Sequence, residues 1–160
     1  MAKKSLSHFD AKGRARMVDV GAKPVTERVA VAQGVVTMAP ETLALIQAGR
    51  IGKGDVLGVA RLAGIMAAKR APDLIPLAHP IALASVELDL VCDPKRSAVA
   101  ITATCRAADR TGVEMEAMSA VCVAALTVYD MCKSADRAMR IGEVRLTHKS
   151  GGKSGTYRAP

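Results

Sequence analysis

The sequence predicts a single α+β domain in the order strand, two helices, two strands, helix, strand. Three observations carry that reading. Segments with apolar side chains at alternate positions are interleaved with apolar runs of helical period. Proline and glycine clusters fall between these segments, and none of them forms an internal linker. The chain has 160 residues, 50% hydrophobic and 24% charged, which suits one core.

Residues 1–27, with Gly13, Gly21 and Pro24, read as a basic N-terminal arm. Val29, Val31, Val35 and Val36 mark a first strand from Arg28 to Met38. Pro40 opens a short helix that Gly49 closes, and Gly52-Lys53-Gly54 is a turn. Asp55 caps a second helix running to about Arg70. Pro72, Pro76 and Pro80 bracket a loop in which no regular element continues. Alternation then resumes over Ile81–Cys92 and Val99–Cys105, joined by the turn Asp93-Pro94-Lys95 as a hairpin. The longest helix runs from Thr111 to about Ala135, and Thr111 followed by Glu114 is a capping-box signature. A last strand, roughly Ile141 to His148, leads into a glycine- and lysine-rich tail, 149–160, expected to be mobile. This order is the ferredoxin-like βαββαβ plan with an extra helix in the first crossover.

Between Ala117 and Val128 the long helix is apolar all round. One face covers the sheet; the other is expected to meet a second copy of the chain, as a homo-oligomer, with a fully buried monomer core as the alternative. No apolar run has the length of a membrane span or a signal peptide, so a cytoplasmic protein without membrane contact is expected. Cys92, Cys105, Cys122 and Cys132 show no Cys-x-x-Cys spacing and read as reduced, packed thiols. His8, His79 and His148 are scattered, so neither a metal nor another cofactor is expected.

Twenty-three Lys and Arg against fifteen Asp and Glu give a net charge of +8, which favours an anionic partner. With no Trp, one Phe and two Tyr, the chain has almost nothing on which to stack bases. A compact phosphate-rich ligand fits better than nucleic acid. Gly152-Lys153-Ser154 is not a phosphate-binding P-loop, since Thr147 stands where its first glycine belongs. Lys149 and Lys153 either fold over a polyphosphate or sit in a solvated tail. Lys53 either touches a phosphate or is an ordinary turn lysine. Asp130 and Lys133 share a helix face, as a surface ion pair or as an acid–base pair at the end of an apolar run. Glu114 is accounted for by capping, and Glu116 is free to face water. His79 sits in a rigid loop of the kind that carries sites.

These pieces together resemble one family. Met17-Val18-Asp19-Val20, Lys53-Gly54-Asp55, Asp73-Leu74-Ile75-Pro76-Leu77-Ala78-His79-Pro80, Thr111-Gly112-Val113-Glu114-Met115-Glu116-Ala117, Tyr129-Asp130-Met131-Cys132-Lys133 and Lys149-Ser150-Gly151-Gly152-Lys153-Ser154-Gly155 are similar to the MoaC family of cyclic pyranopterin monophosphate synthases. The resemblance runs from about Leu6 to Gly155. It implies a lyase of molybdenum cofactor biosynthesis that converts 3′,8-cyclo-7,8-dihydro-GTP to cyclic pyranopterin monophosphate and diphosphate. It further implies a hexamer, a trimer of dimers, with sites at subunit interfaces.

By the same resemblance Asp130 and Lys133 are catalytic. Leu77, Ala78, His79, Glu114, Met115 and Glu116 contact the substrate, and Lys53, Arg28, Lys149 and Lys153 hold phosphates. The family's loop reads Leu-Cys-His-Pro, and Ala78 stands here in place of the cysteine. Glu114 and Asp130 lie about 24 Å apart along one helix, so both serve one small site only if two subunits contribute. Lys133, tuned by Asp130 and by burial, would shuttle protons while the lysines stabilise the phosphate charge. Two rivals stand beside this reading: a catalytically impaired nucleotide-binding relative, and a basic module that binds phosphates or nucleic acid.

Overall fold

A computed structural model describes His8, Asp10 and residues 12–160; the rest of the arm, 1–7 with 9 and 11, lies outside the described residues. The strands β1 (Thr26–Thr37), β2 (Ser85–Asp93), β3 (Ala98–Asp109), β4 (Arg140–Ser150) and β5 (Tyr157–Arg158) form one sheet in the order β2-β3-β1-β4-β5. Every neighbouring pair is antiparallel. Between β1 and β2 stand α1 (Pro40–Gln47), α2 (Val56–Lys69) and α3 (Ala71–Leu74); α4 (Glu114–Cys132) joins β3 to β4. The expected α+β ferredoxin-like plan is therefore present, with the first crossover split further than expected.

Period two decides which strand face is buried. Ala30, Ala32 and Val36 of β1, with Val99, Ile101, Ala103, Cys105 and Ala107 of β3, point to the helical layer and are buried. α4 lies on this face, and α2 packs against α4 through small residues on both sides. A methyl group at Gly64 of α2 would stand 2.9 Å from the Ala120 carbonyl oxygen of α4 and 2.3 Å from Leu88 Cδ2. The helices thus cross at a distance only glycine permits. Gly64→Val is expected to cost about 2 kcal/mol or more, seen as a lower urea midpoint at unchanged m-value.

Several boundaries differ from expectation. β2 starts at Ser85 rather than Ile81, because β3 beyond Arg106 has only β1 as a ladder partner. The Pro72 segment holds the short helix α3, since proline in a first turn gives up no hydrogen bond. α4 starts at Glu114 with Val113 as its N-cap and no side-chain cap, so the Thr111–Glu114 capping box is absent. Asp109 shapes this turn instead, its carboxylate accepting from the backbone N–H of Arg110 and Thr111 at 2.6 and 3.3 Å. The expected cap of α2 is present: Asp55 accepts from the Gly58 N–H at 2.9 Å. The tail expected from 149 shrinks to the loop 151–156, because Lys149 and Ser150 end β4 and Tyr157 and Arg158 pair back onto it.

By length and composition α4 also passes for a membrane span, contrary to the sequence reading. It is a core helix here, more than half of its apolar window being buried inside the fold. The layer leaves apolar surface outside, with Val59, Leu62 and Met66 along α2 and Leu126 on α4 all between 44% and 62% exposed.

Candidate active site

One end of the sheet gathers two joined cavities. The first, about 670 Å3, lies between the segment before β1, the loop after α3 and the start of α4. Its apolar lining includes Val18, Val20, Ile75, Leu77, Ala78 and Met115, and its polar lining includes His79, Glu114 and Glu116. The His79 ring fixes the wall: its Nε2 stands 2.7 Å from the Val18 carbonyl oxygen. A carbonyl only accepts, so Nε2 carries the proton and Nδ1 is left for another partner.

Glu116 departs from expectation. It is 2% exposed rather than facing water, because its position on the first turn of α4 points back at the sheet. Burial pushes its carboxyl pKa up; its own backbone N–H pulls the other way, and the Glu114 and Asp109 carboxylates add to the rise. The Cys105 thiol, buried on β3 with Glu116 close by, is pushed up to about 12, chiefly by burial. All four cysteines are free, as the spacing predicts.

The second cavity, about 410 Å3, is basic: Lys23, Arg28, Arg110, Lys149 and Lys153 line it. Arg28 is 9% exposed and is held by two carbonyls, Nε donating to Asp109 and Nη2 to Arg110, both at 3.1 Å. The loop after β4 wraps the same guanidinium. A methyl group at Gly151 would stand 2.0 Å from the Glu27 carbonyl oxygen, and one at Gly152 would stand 1.8 Å from Arg28 Nη1. Both glycines also have positive φ, +100° and +70°, so the close approach and the turn require them together. Backbone and cations arranged in this way concentrate positive charge in one concave surface.

Lys53, Asp130 and Lys133 form a separate cluster. Lys133 Nζ donates to Asp130 Oδ1 at 2.6 Å, and Lys53 Nζ donates to Asp130 Oδ2 and to its backbone oxygen, both at 2.9 Å. Lys53 thereby also serves the carbonyl end of α4, where a cation is favoured. Asp130 is not desolvated as expected. Its side chain is 57% exposed, because it stands on the outer face of the last turn of α4, whose Val128, Met131 and Cys132 take the buried face. The hydrogen bond from Lys133, then that from Lys53, hold its pKa down at about 2, and Asp130 raises that of Lys133. Neither cavity includes any of the three. Asp130 is sixteen residues beyond Glu114 on the unbroken α4, about 24 Å along its axis.

The structure therefore brings Leu77, Ala78, His79, Glu114, Met115 and Glu116 together in one cavity. Arg28, Lys149 and Lys153 meet Glu114 in the other, and Lys53, Asp130 and Lys133 stand apart. Sequence reasoning gave no role to Val18, Val20, Lys23 or Arg110, and gave Thr111 only a capping one, yet all five line the cavities. Nothing local marks Arg110, between β3 and α4, as facing the same space as Lys149.

Fold and site define an α+β domain with an apolar, carboxylate-bearing cavity beside a basic one. The model of the MoaC family matches residues 17–152. The chain belongs to that family. It is similar, at 60% identity over 99% of both chains, to a protein of Parvibaculum lavamentivorans named cyclic pyranopterin monophosphate synthase. Proteins of the same name from Rhodospirillum rubrum and Roseiflexus sp. are each 62% identical, over 96% and 95% of this chain and 93% and 96% of theirs.

Proposed function

We propose that this chain is a cyclic pyranopterin monophosphate synthase of molybdenum cofactor biosynthesis, a cytoplasmic lyase acting on 3′,8-cyclo-7,8-dihydro-GTP. The observation that carries the reading is the pairing of an apolar, carboxylate-bearing cavity with a basic one. The first suits the purine-derived ring and the second a triphosphate, whose outer two phosphates leave as diphosphate when the innermost closes into the cyclic phosphate. The shared name of relatives about 60% identical supports the same assignment.

In this reading Leu77, Ala78, His79, Met115 and Glu116 hold the ring. Arg28, Lys149 and Lys153, with Lys23 and Arg110, neutralise the phosphates, and the loop 151–155 orders over them. Asp130 and Lys133 do the acid–base work with Lys53 beside them. Lys133 is charged at neutral pH, so its first act is to give a proton rather than take one. A cluster about 24 Å from the cavities of its own chain reaches a ring only in another subunit's cavity. The exposed Val59, Leu62 and Met66 stripe on α2 and Leu126 on α4 support such an assembly, a hexamer of three dimers.

Ala78 fits an active enzyme. Its backbone N–H closes the loop on the Ile75 carbonyl at 3.0 Å, so the turn does not depend on the side chain. The test is diphosphate release from the cyclo-nucleotide, with Ala78→Cys run beside the native chain. Release by the native chain establishes the activity. Release by Ala78→Cys alone means an impaired relative, and release by neither overturns the assignment.

A further inference from the structure

Glu114 is the carboxylate common to both cavities, and it is held at their seam. Its Oε1 accepts from Lys149 Nζ at 2.8 Å, with both side chains less than a third exposed. Its other oxygen lies over Gly112, where a methyl group would stand 2.0 Å away. Glu114 is thus placed by the pair with Lys149 on one side and by the bare glycine backbone on the other. It caps nothing, and Lys149 is the cation of the basic cavity that it occupies.

We propose that Glu114 is a positioning residue that sets the register of the substrate, an inference that rests on the basic cavity being the phosphate site. Before substrate arrives, its carboxylate takes the place of a phosphate on Lys149. When the phosphate chain enters, Lys149 changes partner and the carboxylate stays at the seam. There its charge repels phosphate from the ring cavity, so ring and phosphates enter the cavities in one order only. Competition with the substrate's own charge is the cost, and a defined register is the gain.

The experiment measures binding of inorganic tripolyphosphate by calorimetry to the native chain, Glu114→Gln, Lys149→Gln and the double variant. Glu114→Gln, which keeps the shape and loses the charge, is expected to bind about tenfold more tightly. Lys149→Gln is expected to bind about tenfold more weakly. In the double variant the gain from Glu114→Gln is expected to shrink without vanishing, because the release of Lys149 is lost while the repulsion at the seam is still removed. A merely structural Glu114 would give weaker binding, the opposite sign. Unchanged or weaker binding by Glu114→Gln, with Lys149→Gln still weaker than native, overturns the register role alone. Tripolyphosphate binding that is absent, or indifferent to Lys149, overturns the phosphate site and the register role with it. Glu114→Ala carries the same expectation as Glu114→Gln, should the latter fold poorly.

Discussion

Asp130→Asn is expected to lower kcat for diphosphate release by about two orders of magnitude or more, while KM moves less than about threefold. The carboxylate bridges two ammonium groups, at 2.6 Å to Lys133 and 2.9 Å to Lys53. Asparagine keeps the shape and one acceptor but leaves two positive charges side by side without the negative charge between them. Both lysines then lose position, and Lys133 loses what raises its pKa. The pH profile separates this from a local packing defect. Asp130 is depressed to about 2, so its ion pairs are complete above its ordinary value near 3.8 and fade only as pH falls toward 2. An acid limb above pH 4 therefore belongs to another group. Lys133 is raised, so its charge is fully present below its ordinary value of 10.5 and is lost as pH rises through the higher folded value. In Asp130→Asn the basic limb of kcat should move to lower pH. Unchanged kcat, with an unshifted basic limb, would remove Asp130 from the chemistry.

The strand and helix order was legible because period two and period 3.6 differ plainly where the core is single-layered. Val99 to Cys105 buries alternate residues, and Asp55 announces α2 by a cap that the structure contains. In β1 the fully buried alternates are Ala30, Ala32 and Val36, while Val29 and Val31 lie on the other, half-buried face. What failed were features decided by partners distant in sequence. Glu114 looked like a cap three residues after Thr111, yet its partner is Lys149, thirty-five residues on. Glu116 looked free, and the packing of α4 into the fold buries it. β5 is two residues long, too short for any periodicity, and exists because β4 offers it an edge. Apolar alternation marks the strand, but in β1 it does not say which face is innermost, and nowhere does it say which charges meet across the sheet. Grouping the site residues depended on the family resemblance, since no local spacing places Arg28 beside Gly152.

Chains carrying Asp130→Ala and chains carrying His79→Ala are expected to be nearly inactive alone, each below about 1% of native turnover, and active when co-expressed. The expectation follows from helix geometry. His79 and Glu116 line the ring cavity at one end of α4, and Asp130 stands about 24 Å from that end, on the same chain. A substrate of nucleotide size cannot bridge that length along a helix packed against its own sheet. If the site is completed by a neighbouring subunit, equal co-expression restores some sites fully. Each restored site takes its cavity from an Asp130→Ala chain and its acid–base cluster from a His79→Ala chain. Random assortment makes about a quarter of the sites of that kind, and turnover per site should rise to about a quarter of native. Two different affinity tags isolate the mixed assemblies, and diphosphate release per chain is compared with that of each parent. Recovery well above the parents requires sites shared between subunits. Release no greater than the sum of the parents would place the whole reaction within one chain, and would then require α4 to break or the last turn to fold back on substrate binding.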